Sequence, residues 1–173
     1  MPNWCSNVVV VSHADKSKLD EFRQAVLNNQ TKVSTDFMNV LLPRPAEEEN
    51  WYDWNVANWG TKWDLDVYVT EDTDESVTLS FESAWAPPVR FYDYLTEQGY
   101  TVKGYYYESG MGFAGIYEDG HDSEYNLEGD SDDVAATIPV ELDEMFNIVG
   151  NMRDFEEENM DDEYPEEDEG EQK

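Results

Sequence analysis

The sequence predicts an α+β fold, and three observations carry that prediction: apolar residues recurring now at period two and now at helical spacing, turn residues between the two patterns, and enough aromatic side chains to fill a core. The chain has 173 residues, 39% of them hydrophobic, with 6 Trp, 11 Tyr and 7 Phe beside a net charge of -31. A disordered polyanion lacks that apolar content, so this is a folded acidic protein. The length suits one domain with a tail.

Taken in order, Asn7 to Ser12 is a β-branched run too short for a buried helix and reads as a central strand. Asp15 caps a helix whose Leu19, Phe22 and Val26 share one face and which stops at Asn28-Asn29. An insertion over about 35–63 follows, irregular through Pro43 and Pro45, with a short helix over 47–58 and a Gly-broken aromatic corner at Trp59 to Trp63. Leu65, Val67 and Val69, then Val77, Leu79 and Phe81, alternate with polar residues and predict an antiparallel hairpin around the acidic turn Glu71 to Glu75. Pro87-Pro88 opens a second helix over 88–98 with Gly99 beyond its end. Residues 101–107 and 113–118 read as two further strands.

Strand, helix, strand, strand, helix, strand is the split βαβ order of a ferredoxin-like sandwich, here with an inserted Trp-rich helical segment and extra C-terminal strands and helix. Leu142, Met145, Phe146 and Val149 predict that last helix, over 138–152. We expect a single domain over 1–150 and a disordered acidic tail over 151–173.

Charge is concentrated rather than spread. Residues 1–62 hold 8 acids and 6 bases; residues 63–150 hold 21 acids against Arg90 and Lys103; residues 151–173 hold 12 acids against Arg153 and Lys173. Between Lys103 and Arg153 there is no basic side chain, so the acids there repel one another without local compensation. Such a polyanion is repelled by nucleic acid and by anionic lipid, which excludes direct binding of either. No apolar run approaches the roughly 20 residues that span a bilayer, and the first residues lack a signal-peptide pattern, so a cytoplasmic location is expected. Cys5 is alone and only His13 and His121 are present. That leaves few ligands for zinc, and no metal, cofactor or catalytic group is expected.

Gly110-Met111-Gly112-Phe113-Ala114-Gly115 fits G-x-G-x-x-G, but a strand follows it rather than a helix, so it reads as a hairpin turn. Trp51, Trp54, Trp59 and Trp63 are either scaffold for the insertion or an aromatic platform for a ligand. Glu118, Asp122, Glu124, Glu128, Asp130 and Asp132 share one parity, with Asp133 adjoining, while Tyr117, Tyr125 and Leu127 take the other. In an extended segment that places the carboxylates on one face at a repeat of about 6.7 Å, comparable to successive phosphates. An ordinary solvated strand face is the competing reading.

Met1-Pro2-Asn3-Trp4-Cys5-Ser6-Asn7, Asn58-Trp59-Gly60-Thr61-Lys62-Trp63-Asp64, Ala84-Trp85-Ala86-Pro87-Pro88 and the glycine motif at 110–115 together resemble the Api92-like, YubB-type ferredoxin-like family. The resemblance spans about residues 1–118 and stops short of the segment beyond 120. It implies a ferredoxin-like domain carried by bacteriophages and conjugative plasmids, with no known function and no catalytic residues to transfer. Joined to the charge, that origin suggests a non-enzymatic DNA mimic that inhibits a host DNA-binding protein in the bacterial cytoplasm. The alternative is a small-ligand-binding or enzymatic module built on the Trp-rich insertion, with acidity serving solubility.

Overall fold

The computed structural model describes residues 2–33 and 36–160. Two compact units divide the chain, Met1–Leu127 and Glu128 onward, so the boundary falls at residue 127 rather than at 150.

In the first unit the elements are β1 (Trp4–Ser12), α1 (Lys16–Gln30), α2 (Met38–Leu41), α3 (Trp51–Asn58), β2 (Tyr68–Asp72), β3 (Ser76–Ala84), α4 (Val89–Glu97), β4 (Thr101–Glu108), β5 (Phe113–Glu118) and β6 (His121–Asn126). One six-stranded antiparallel sheet has the order β2-β3-β1-β4-β5-β6. The central run β2-β3-β1-β4 is the ferredoxin-like split βαβ arrangement, and β5-β6 extend it as a hairpin. The strand at 7–12 is central as its β-branched run predicted.

Alternation decides the core. Val9, Val11, Val77, Leu79, Phe81, Val102 and Tyr117 pack in one cluster with Leu19, Phe22 and Val26 of α1 and Phe91, Tyr92 and Leu95 of α4, so both helices lie on the same face of the sheet. Asp15 caps α1 as expected, accepting from Ser17 N–H at 2.9 Å. Where Leu65 and Val67 were expected to start a strand, β2 begins only at Tyr68. The reason is Asn29: its buried amide donates to Leu65 O at 3.1 Å and accepts from Val67 N–H at 3.0 Å, taking the place of a neighbouring strand.

The insertion is held by buried polar groups. Asp64 accepts from the N–H groups of Phe37, Met38 and Asn39 at 2.7–3.0 Å, and Asn55 links Arg44 Nη1 to Lys62 O. Trp59 is 2% exposed and donates its indole N–H to Leu42 O at 3.2 Å, with Trp54 edge-on against it at 5.5 Å. Both are scaffold.

The second unit contains α5 (Ser131–Thr137), α6 (Val140–Phe146) and α7 (Ile148–Met160). The helix expected over 138–152 is thus two helices, broken where Asn147 takes a left-handed φ of 52°. Residues 151–160 are helical, which corrects the expectation of a disordered tail beginning at 151. Residues 161–173 of that tail lie outside the described residues.

Candidate functional site

The acidic row is redistributed by two local events. Asp119 and Gly120 make a two-residue turn with φ of 45° and 91°, so Glu118 pairs with His121 and parity inverts across the hairpin. Glu118 therefore sits on the sheet face opposite Asp122 and Glu124, beside Lys103 at 3.9 Å. The second event is the end of the extended segment. Asp130 is the N-cap of α5 and forms a capping box with Asp133, while Asp132 pairs with Arg153 at 2.9 Å. Glu128 is exposed at the start of the second unit. The expected continuous row of carboxylates from 118 to 133 is not formed.

Asp122 and Glu124 instead face a cleft of about 850 Å³ in the first unit, lined also by Arg90, Asp93 and Tyr117. The side chains that build it are held from below by tyrosines. Tyr106, wholly buried, donates its hydroxyl to Asp122 Oδ1 at 2.9 Å, and Tyr117 donates to Asp93 Oδ1 at 3.0 Å. Thr96 Oγ1 lies 3.2 Å from the Tyr117 hydroxyl, and Arg90 Nη1 3.5 Å from Asp93 Oδ2. Burial pushes the Asp122 carboxyl above its ordinary range, and nearby Asp93 adds to the rise, against the opposing Tyr106 hydrogen bond. The residue as a whole is exposed while its carboxyl end rests on Tyr106. The result is a pair of carboxylates fixed in direction by buried phenols, the first group missed by sequence reasoning being Asp93. Its helix position, i+3 from Arg90, gives no local sign that it meets Tyr117 of β5.

The glycine motif contributes to this site through Gly115. A Cβ at Gly115 would lie 2.2 Å from Tyr106 Cζ and Oη, so only glycine lets the Tyr106 ring cross β5 to reach Asp122.

The four insertion tryptophans do not converge. Trp54 and Trp59 are packed inward, Trp51 lies edge-on to Tyr52 at 5.9 Å, and Trp63 lies 6.1 Å from Trp4, centroid to centroid, at a second cleft. Asp64, half-buried next to Trp63 at that cleft, has its carboxyl raised by burial against the lowering effect of its backbone donors. Cys5 is buried and its thiol is pushed up to about 12, mainly by burial, the opposite of the lowered value that activates a thiol. Among the described residues no group of three or more His, Cys, Asp or Glu is placed to hold a metal ion, and no helix is long and apolar enough to cross a membrane.

Among solved structures, the chain is similar to the protein api92 from Yersinia pseudotuberculosis, at 18% identity and a TM-score of 0.40. The similarity covers 53% of this chain and 40% of that one, so the matched part spans about two fifths of that relative. A search of curated proteins gives no match. A family described as the ferredoxin-like domain in Api92-like protein matches residues 62–157, more than half of the chain. The match starts at Lys62 and reaches into α7, beyond the limit near residue 118 that the sequence motifs suggested. The chain belongs to this Api92-like ferredoxin-like family.

Proposed function

We propose that the protein is a non-enzymatic, acidic DNA mimic of phage or plasmid origin that occupies the basic groove of a host DNA-binding protein, such as a restriction enzyme, nuclease, topoisomerase, polymerase or chromosome-organising factor. The observation that supports it best is the pair Asp93 and Asp122, carboxylates held by buried tyrosine hydroxyls at a cleft edge in a chain of net charge -31. Carboxylates fixed in this way meet arginine and lysine without an ordering cost, and the wider field speeds encounter. Glu124 extends the pair along β6. Glu118 acts from the other face, and Asp130, Asp132 and Asp133 contribute field rather than a docking row.

The test is capture from a host-cell lysate at low salt, followed by challenge with duplex DNA. Duplex DNA should release the captured partner, and Asp122→Asn with Glu124→Lys should weaken capture while leaving circular dichroism unchanged. A partner that stays bound under saturating DNA contradicts mimicry. A second reading, a small-ligand module, is favoured only by the cleft at Trp63.

A further inference from the structure

Trp4, Trp63 and Tyr68 are 51%, 39% and 63% exposed, and all three border one cleft of about 580 Å³ in the first unit. Single exposed aromatics are ordinary, but three around one cleft form a surface suited to a ligand. Sheet register brings them there. Trp4 pairs with Ala84, Ser6 with Glu82 and Tyr68 with Ser80, so Trp4, Tyr68 and Glu82 project from the same sheet face, opposite the one that α1 and α4 cover. Trp63 arrives from the segment before β2 and tilts against Trp4 at 40°.

The charged lining is anionic: Asp64, Asp66 and Glu82 against Lys32. Lys32 is paired with Asp66, and Asp64 is taken up by backbone N–H groups. Glu82 remains as the carboxylate on the wall, steadied through Oε1 by the Ser6 hydroxyl at 2.8 Å. The Trp63 ring already draws a cation of the chain, Lys62 Nζ, to 4.5 Å from its centroid. Aromatic faces beside a steadied carboxylate match a planar, weakly hydrated cation, because a guanidinium stacks on a ring while its N–H edge donates to the carboxylate. An ammonium is more strongly hydrated and a neutral ligand leaves the carboxylate unanswered.

We propose that this cleft receives an arginine side chain presented by a partner polypeptide, stacked on the Trp63 and Trp4 indoles with its guanidinium donating to Glu82. The assignment stands apart from DNA mimicry, since it uses none of Asp93, Asp122 or Glu124. It needs no knowledge of the partner to be tested. The probe is N-acetyl-arginine-N-methylamide, titrated into the full chain while the indole N–H signals are followed by NMR.

The expected result is a saturable shift of the Trp4 and Trp63 indole signals, with a dissociation constant on the order of millimolar for one isolated side chain. The neutral isostere N-acetyl-citrulline-N-methylamide should leave both signals in place, and the lysine analogue should bind about fivefold more weakly. Trp63→Ala and, separately, the isosteric Glu82→Gln should each weaken arginine binding about tenfold with the rest of the spectrum unchanged. Equal response to citrulline, lysine binding as tight as arginine, a saturable response to a neutral disaccharide instead, or arginine shifts spread over acidic surface without the two indoles would each overturn the assignment. Loss of DNA-competitive capture in the experiment above would leave these titrations unaffected.

Discussion

Gly115 shows how one absent side chain organises a site. Substituting alanine places a Cβ 2.2 Å from Tyr106 Cζ and 2.7 Å from Ser123 O, and neither the buried ring nor the backbone can give way. Gly115→Ala is expected to cost about 3 kcal/mol, read as a lower urea midpoint at unchanged slope. Tyr106→Phe keeps the packing and removes only the donor to Asp122. Since that hydrogen bond holds the Asp122 carboxyl down against burial, the variant should raise its titration midpoint further, measurable by NMR of the side-chain carboxyl. An unchanged midpoint would mean that Tyr106 does not hold Asp122 in solution. The sequence predicts a connection over 108–112 with a strand beginning at Phe113, and β5 begins there. That Gly115 answers Tyr106 was not legible, because cross-strand contact is invisible to spacing along one segment.

At the scale of the element, the parity of the acids breaks at the junctions rather than within the strand. Asp122, Glu124 and Asn126 do share a face of β6, but the two-residue turn at Asp119-Gly120 inverts the pattern and Asp130 ends it as a helix cap. Asp130→Ala should destabilise the second unit by about 1 kcal/mol and speed amide exchange in α5, while Asp130→Asn should retain most of the cap. Equal exchange in both variants would show that the cap is idle. A lysine at 130 therefore tests helix stability more than partner docking, and charge reversal belongs at Asp122 and Glu124. The same contrast explains what was legible. β1, α1 and α4 were readable because each carries its own periodicity, with Asp15 capping α1 and Pro87-Pro88 opening α4. The irregular backbone at Leu65 to Val67 was not, because its partner is the side chain of Asn29, 36 residues away from Leu65. Asn147 splits a run whose apolar spacing is continuous.

For the whole molecule, the arithmetic of charge sets the response to pH and salt. The first unit carries 22 acids against 8 bases and the second 19 against 2, so compaction brings like charges together in both. Asp64 and Asp122 titrate above their ordinary value in the fold, both chiefly through burial. The folded state then takes up protons before the unfolded chain does. Stability rises as pH falls through these raised values, is fully present below the ordinary 3.8, and is lost as pH climbs back through them. The melting temperature should be higher at pH 5 than at pH 7.5, and at pH 7.5 it should climb with moderate salt. A lower melting temperature in mild acid would show that the carboxylates are net stabilisers through pairing. Truncation separates field from fold. A cut at 156 removes Glu156, which accepts from both Ser131 N–H and Ser131 Oγ at 2.7 Å, and so damages the second unit itself. A cut after Met160 leaves that pair intact and removes 8 acids against Lys173. Deleting 161–173 should leave the melting temperature at moderate salt within about 2 °C, while slowing association with a captured basic partner about tenfold at low salt and little at high salt. Stopped-flow association at two ionic strengths reads this directly. A change confined to the dissociation rate would instead make the segment a contact surface rather than a source of long-range field.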